Sequence, residues 1–254
     1  MDKVLRIYRC LLNRQNPQSP SFNADHKFLI NDFILITIKE HIMSQLHPSL
    51  DLDQANQALQ GKSPEQIVEW ALSQAKNPII TTNFRPYESA ILHLVAKQRP
   101  DITVLWVDSG YNTDATYQFA NKVIRDLNLN VITYIPKQTA AYRDATMNGI
   151  PGIDNPQHDE FTDQVKLEPF RRALDELKPD VWFNAIRKDQ TEFRQGLDVL
   201  SLSKDGVLKV APLFENTDAD LDVYLEEHNL PNEFDYFDPT KVEESRECGL
   251  HTQL

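Results

Sequence analysis

Cys248 stands in the run Arg246-Glu247-Cys248-Gly249-Leu250-His251, seventh from the end of a polar stretch, an odd setting for a core cysteine. The thiolate is the nucleophilic form of cysteine. Arg246 and His251 favour it electrostatically and Gly249 lets the backbone expose the sulfur, while Glu247 opposes ionisation. The plain alternative is an incidental surface thiol. A second constellation, Arg187-Lys188-Asp189-Gln190-Thr191-Glu192-Phe193-Arg194, directly follows the apolar run VWFNAI, and Lys209 lies in the next apolar run. Cations beyond a strand end suit a sulfate or phosphate, with arginine offering bidentate contacts that lysine cannot. The alternative is a solvated charged turn. Thr81, Thr82, Asn83, Phe84, Arg85 and Ser89 form a third group, rich in hydroxyls and amides and ahead of a helical pattern. Free N–H groups at such a helix start can meet an anion, or can simply be capped. Fourth, Asp108, Gly110 and Tyr111 end a strand pattern with a glycine turn and an aromatic that could stack on a base, or with an ordinary turn.

These groups need a scaffold that brings strand ends together. From Ser63 onward, helix and strand periods alternate, the mark of a parallel sheet with helices on its faces. Ser63 and Gln66 form a capping-box start, with Pro64 in the first turn, for a helix through about Ala75. Strands are predicted at 78–82, 103–107, 130–134 and 181–185, with a further strand at 207–210. Helices are predicted from Pro86, over 115–127, over 168–177 and over 218–228. In such sheets ligands sit beyond the carboxyl ends of the strands where the strand order reverses, so loops 81–89, 108–114 and 186–196 are the ones to inspect.

Composition narrows the function. Lys and Arg number 26 against 38 Asp and Glu, a net charge of −12, which disfavours nucleic acid and anionic membrane as partners but leaves a small anion possible. Seven glycines in 254 residues leave little for a glycine-built phosphate loop. Two cysteines, Cys10 and Cys248, cannot make a disulfide framework or a four-cysteine metal or iron–sulfur site, and a reducing cytoplasm is the expected location. The longest apolar run, 28–38, is well short of the roughly 20 residues of a membrane span. Residues 1–42 carry six Lys/Arg against four Asp/Glu, whereas the remainder carries 20 against 34. This contrast, with Met43 opening an ordinary soluble start, marks 1–42 as an N-terminal extension or a mis-assigned start. Residues 43–230 read as one α/β domain, and 231–254 as a mobile tail carrying Cys248.

Together these residues resemble the assimilatory 3′-phosphoadenylyl-sulfate (PAPS) reductases, of the adenine-nucleotide α-hydrolase-like superfamily. The likeness runs from about Pro64 to His251. Val107-Asp108-Ser109-Gly110-Tyr111 with Thr116, Tyr117 and Phe119 follows the family's D-T-G-Y and T-Y-x-F pattern. Lys166-Leu167-Glu168-Pro169 follows K-x-E-P; Trp182 to Arg194 follows W-x-x-G-x-R-R-x-Q-S-x-x-R; Lys209-Val210-Ala211-Pro212 follows K-V-x-P. Glu247-Cys248-Gly249-Leu250-His251 matches the nucleophile motif outright. The resemblance implies an open, mainly parallel twisted sheet with helices on both faces. It implies thioredoxin-dependent reduction of PAPS to sulfite and adenosine 3′,5′-bisphosphate through a Cys248 S-sulfo intermediate. Cys248, His251 and Glu247 would be catalytic. Thr81, Thr82, Asn83, Phe84, Arg85, Ser89, Asp108, Gly110, Tyr111, Arg187, Lys188, Gln190, Arg194, Lys209 and Arg246 would contact substrate.

No bound cofactor, metal or iron–sulfur cluster is implied; thioredoxin or glutaredoxin is the reductant, and a homodimer is admitted. The chain departs from the family at Thr82-Asn83-Phe84-Arg85, where the family has S-S-F-G, and it lacks the G-D-x-H-x-T segment ahead of the cysteine motif. One rival is another superfamily enzyme, an ATP pyrophosphatase or a sulfur-transferring enzyme, although Thr81 to Ser89 lacks the glycines and aspartate of an S-G-G-x-D-S loop. The other is a non-catalytic nucleotide-binding relic, for which a retained terminal thiol has no evident use.

Overall fold

The computed structural model describes residues 50–241. Cys10, Arg246, Glu247, Cys248 and His251, and the extension at 1–42, lie outside the described residues. Six strands form one sheet: β1 (Pro78–Thr82), β2 (Thr103–Val107), β3 (Asn130–Tyr134), β4 (Val181–Phe183), β5 (Leu200–Leu202) and β6 (Leu208–Val210). Their spatial order is β3-β2-β1-β4-β6-β5; every pair is parallel except β5 with β6. The chain steps outward from β1 to β3, then returns to the other side of β1 with β4. The carboxyl ends of β1 and β4 therefore flank the crevice where strand order reverses.

Adjacent strand residues feed opposite faces of the sheet, as a pleat requires. Ile80, Val104, Phe183 and Val210 share a core with Ile67, Val68 and Ala71 of α2 (Pro64–Gln74), with Ile91 and Val95 of α3 (Glu88–Gln98), and with Phe119 and Val123 of α4 (Asp114–Asp126). Ile79, Leu105 and Trp182 face the other way, onto Phe170 and Ala173. Helices thus cover both faces. Helix α1 (Leu52–Leu59) packs by Ala55 and Leu59 near the β5 edge, where Asn56 exchanges hydrogen bonds with the Leu200 backbone. The expected capping box is present: Gln66 N–H donates to Ser63 Oγ at 3.4 Å and Ser63 N–H to Gln66 Oε1 at 3.0 Å.

Several elements differ from the sequence expectation. β4 ends at Phe183 instead of 185, and α3 begins at Glu88 because Pro86 and a left-handed Tyr87 (φ 69°) keep the chain out of the helix. α5 (Ala140–Met147), capped by Thr139, and α6 (His158–Thr162) were not expected; nor was the antiparallel β5, too short to show a period. α6 runs through a π-helical turn, Asp163–Leu167, into α7 (Glu168–Leu177). After the short α8 (Glu192–Gln195) and α9 (Asp218–Glu227), residues 231–241 form an extended strap. Read from sequence as the start of a mobile tail, this strap instead lies pinned to the domain. Ser89 Oγ donates to Pro231 O (2.6 Å), Tyr87 N–H to Asn232 Oδ1 (2.7 Å), and Thr113 Oγ1 and Thr116 Oγ1 to Asp235 O (2.7 and 3.0 Å).

Candidate active site

The loop leaving β1 is organised by a carboxylate that the sequence reading did not single out. Glu88, in the first turn of α3 and 5% exposed, accepts from Thr82 Oγ1 (2.8 Å), the Asn83 N–H (2.7 Å) and Arg85 Nε (2.8 Å). Arg85 also donates through Nη2 to the Ala185 carbonyl at 3.0 Å, tying the end of β1 to the end of β4. Thr81 Oγ1 accepts from the Trp182 indole N–H at 2.8 Å. Phe84 is fully buried edge-on to Trp106 at 4.9 Å, so its side chain belongs to the core and not to a ligand surface. Ser89 is likewise buried, its hydroxyl committed to the strap.

Beyond β4, Asn184 Oδ1 accepts from the Ile186 N–H, turning the chain, and Gln190 Oε1 accepts from the Arg187 N–H and from Arg194 Nη1. Gln190 thereby builds the loop, while Arg194, 3% exposed, is the cation of this segment that reaches the cavity. Arg187 is buried beside the Tyr87 ring, 5.4 Å to the centroid, and pairs with Asp218. Lys188 is exposed near Glu215 at 3.4 Å, away from the cavity. Lys209 sits 5.8 Å over the Trp182 ring, within the sheet.

The strap closes the third side. Lys166, buried on the π-helical turn, donates through Nζ to Asp238 Oδ2 at 2.6 Å and contacts Thr240 Oγ1 at 3.4 Å. Burial works to raise the Asp238 pKa, but the Lys166 ammonium and hydrogen bonds from Lys166 and Thr240 outweigh it and hold the carboxyl below its ordinary range. Tyr236 lies against this pair, and burial pushes its phenol well above the ordinary value.

Together these walls enclose a cleft of about 720 Å³, open solvent at its mouth included. Of the expected substrate contacts, Thr81, Thr82, Asn83, Arg85 and Arg194 line it. Its other polar walls are Glu88, Lys166, Asn184, Tyr236, Asp238 and Lys241. Four cations against two carboxylates line a cleft in a chain of net charge −12, a local reversal of charge suited to an anion. Lys166 sits in the recognised K-x-E-P run; Asp238 and Lys241 had no sequence signal beyond polarity.

Asp108, Gly110 and Tyr111 do not line this cleft. Asp108 Oδ1 accepts from the Gly110 N–H, Asn112 Nδ2 and the Tyr117 hydroxyl, each at 2.9 Å. Tyr111 donates its hydroxyl to Asp144 at 2.8 Å and packs on Phe161. Their neighbours Ser109 and Asn112 line a smaller adjoining pocket, about 300 Å³, that shares Asn83, Val107, Lys166, Tyr236 and Asp238 with the cleft. Among the described residues no group of three or more His, Cys, Asp or Glu is placed to hold a metal ion, and no helix is long and apolar enough to cross a membrane.

The fold is shared with a PAPS reductase from Candida auris, solved as a phosphate complex: TM-score 0.63, 24% identity, covering 72% of this chain and 90% of that one. Sheet order, crevice and helical layers make this an α/β protein with an open, mainly parallel sheet covered on both faces. The family model of the phosphoadenosine phosphosulfate reductase domain matches residues 77–234. A phosphoadenosine 5′-phosphosulfate reductase from Vibrio campbellii is 36% identical over 187 residues, 71% of this chain and 70% of that protein. One from Vibrio vulnificus is 31% identical over 239 residues, covering 83% and 90%. The chain belongs to the phosphoadenosine phosphosulfate reductase family and is an oxidoreductase of that type.

Proposed function

We propose that this protein reduces 3′-phosphoadenylyl sulfate through Cys248, with thioredoxin or glutaredoxin as the second substrate. The observation that carries the reading is the cation-lined cleft at the β1–β4 crevice, whose wall includes Lys241. Cys248 follows Lys241 by seven residues, a tether spanning at most about 25 Å, so its sulfur can reach a nucleotide in the cleft. The Cys248 thiolate attacks the sulfuryl sulfur; the S–O bond to the 5′-phosphate breaks, and its electron pair leaves with adenosine 3′,5′-bisphosphate. Cations in the cleft stabilise the charge that develops on the departing phosphate oxygen. A thiolate of the reductant then attacks Cys248 Sγ, sulfite leaves with the S–S electron pair, and the second thiol of the reductant resolves the mixed disulfide. Two electrons pass from the dithiol to sulfur. Dependence on that dithiol assigns the reaction to the reducing cytoplasm.

In the rival pyrophosphatase reading, the β1 loop would offer backbone N–H groups to pyrophosphate. Glu88 already occupies the Asn83 N–H, which speaks against it. Intact-protein mass after incubating the reduced enzyme separately with PAPS and with adenylyl sulfate tests the proposal. A sulfonate adduct is expected from PAPS, absent in Cys248→Ser and discharged by reduced thioredoxin. An unmodified wild type, or full sulfite release by Cys248→Ser, would overturn it.

A further inference from the structure

Buried carboxylates close to a nucleotide cleft need an account, and Glu88 has no part in the sulfur transfer itself. Its position explains the departure at Arg85, which stands where the resembled loop has glycine. In a glycine-bearing loop the backbone N–H groups meet the anion directly. Here Oε2 of Glu88 takes the Thr82 hydroxyl and the Asn83 N–H, and Pro86 has no N–H to offer. The anion-binding capacity of the backbone is thus partly filled by a carboxylate, and the positive group left lining the cleft from this loop is Arg85.

The loop is shaped around that side chain. Phe84 (φ 52°) and Tyr87 (φ 69°) both adopt the left-handed conformation that residues other than glycine avoid. Each is held there from outside the loop: Phe84 by full burial against Trp106, and Tyr87 by the bond from its N–H to Asn232 on the strap. Between them, Arg85 has its Nε fixed on Glu88 and its Nη2 on the Ala185 carbonyl across the crevice. A planar fork held at two points is a pre-oriented donor, which a lysine ammonium could not reproduce.

We infer that Arg85 is a specificity-determining contact for an anionic group of the bound nucleotide, and that Glu88 is the positioning residue that aims it. The inference rests on the nucleotide reading of the cleft. The shared chemistry is a phosphate-type oxyanion, with two sources on such a ligand, the 5′ and the 3′ group.

Calorimetric titration with adenosine 3′,5′-bisphosphate and with adenosine 5′-phosphate separates the sources. For Arg85→Ala, a charge-assisted contact predicts a roughly 10- to 100-fold loss of affinity. Loss for both ligands assigns the contact to the 5′ group; loss for the bisphosphate alone assigns it to the 3′ group. Glu88→Gln keeps the side-chain size and is expected to lose about 10-fold, with Arg85→Lys between wild type and alanine. The double variant Arg85→Ala/Glu88→Gln should bind no worse than Arg85→Ala, because Glu88 acts through Arg85. A merely structural Glu88 would instead multiply its effect in the double variant. The inference is overturned by that multiplication, or by Arg85→Ala within twofold of wild type for both ligands. Failure of the reductase reading has a different signature: nucleotide binding that depends on Arg85, with no Cys248 adduct from PAPS.

Discussion

The loops that leave β1 and β2 face the same end of the sheet, both carry polar runs that looked suited to a nucleotide, and they differ in where their hydrogen bonds go. After β1, Arg85 reaches across to the Ala185 carbonyl and lines the cleft. After β2, Asp108 closes on Gly110, Asn112 and Tyr117, and the nearby arginine, Arg143, is buried with its guanidinium on the Gln138 and Ser109 carbonyls. One loop turns its cation to the cleft; the other commits its carboxylate to its own turn and leaves only Ser109 and Asn112 on the smaller adjoining pocket. Topology makes the difference. β1 borders the reversal of strand order, so its loop and that of β4 diverge around open space, whereas β2 lies one strand away from that reversal.

The largest expected effect comes from removing the cation that bridges the cleft and the strap. Lys166→Ala strands the Asp238 carboxylate in a site where both side chains are about nine-tenths buried, a loss of about 3–5 kcal/mol. Urea unfolding should register it, with hydrogen exchange rising first in 231–241. Replacing both partners by apolar residues, Lys166→Met with Asp238→Leu, should recover most of the stability. A Lys166→Ala protein as stable as wild type would mean that the strap is held by its hydrogen bonds at 231–235 alone.

A smaller effect separates the two loops directly. Asp108→Ala removes three accepted hydrogen bonds around a single oxygen and should cost about 1–3 kcal/mol, with nucleotide affinity changed less than about twofold. Burial and the Asp108 hydrogen bond push the Tyr117 phenol up to about 12, so its ionisation in the variant should move down toward the ordinary range, readable by ultraviolet titration. A large loss of nucleotide affinity in Asp108→Ala would show that the β2 loop also binds ligand, and would erase the contrast.

How far the sequence reached follows the same division between local and distant causes. β1, β2 and β3 lie where their apolar runs end, and α2 starts at its capping box, because a short run or a four-residue motif decides each. Of the loops flagged at the strand ends, 81–89 and 186–196 border the cleft. Which of their side chains face the cleft was not legible, since Phe84 and Ser89 are turned inward by Trp106 and by Pro231 of a segment more than a hundred residues away in sequence. The strap was illegible for a related reason. It has no period of its own, and its hold depends on backbone carbonyls at 231 and 235 and on an ion pair spanning 72 residues.

Acid should test the two ends of that strap in separate windows, with the smallest effects of the three. At its root, α9 meets α3 through His93, whose Nδ1 lies 2.9 Å from the Tyr224 hydroxyl and whose ring is 4.7 Å from that of His228. Burial, then the nearby His228 and Lys97, lower the His93 pKa. A base with a lowered folded pKa favours folding while neutral, so this stability is complete above about pH 6.5 and is lost as the pH falls through the folded value. At the far end, Asp238 has a folded pKa below its ordinary value, so the clasp is intact above about pH 4 and is lost as the pH falls through that lower value. Hydrogen exchange from pH 7 to 3 should therefore show the α3–α9 contact loosening first and residues 236–241 only below pH 4. His93→Phe should delete the first step and leave the second unmoved. Simultaneous loosening at both ends would mean that the strap opens as one unit from its root, and that the cleft wall depends on helix packing more than on the Lys166–Asp238 clasp.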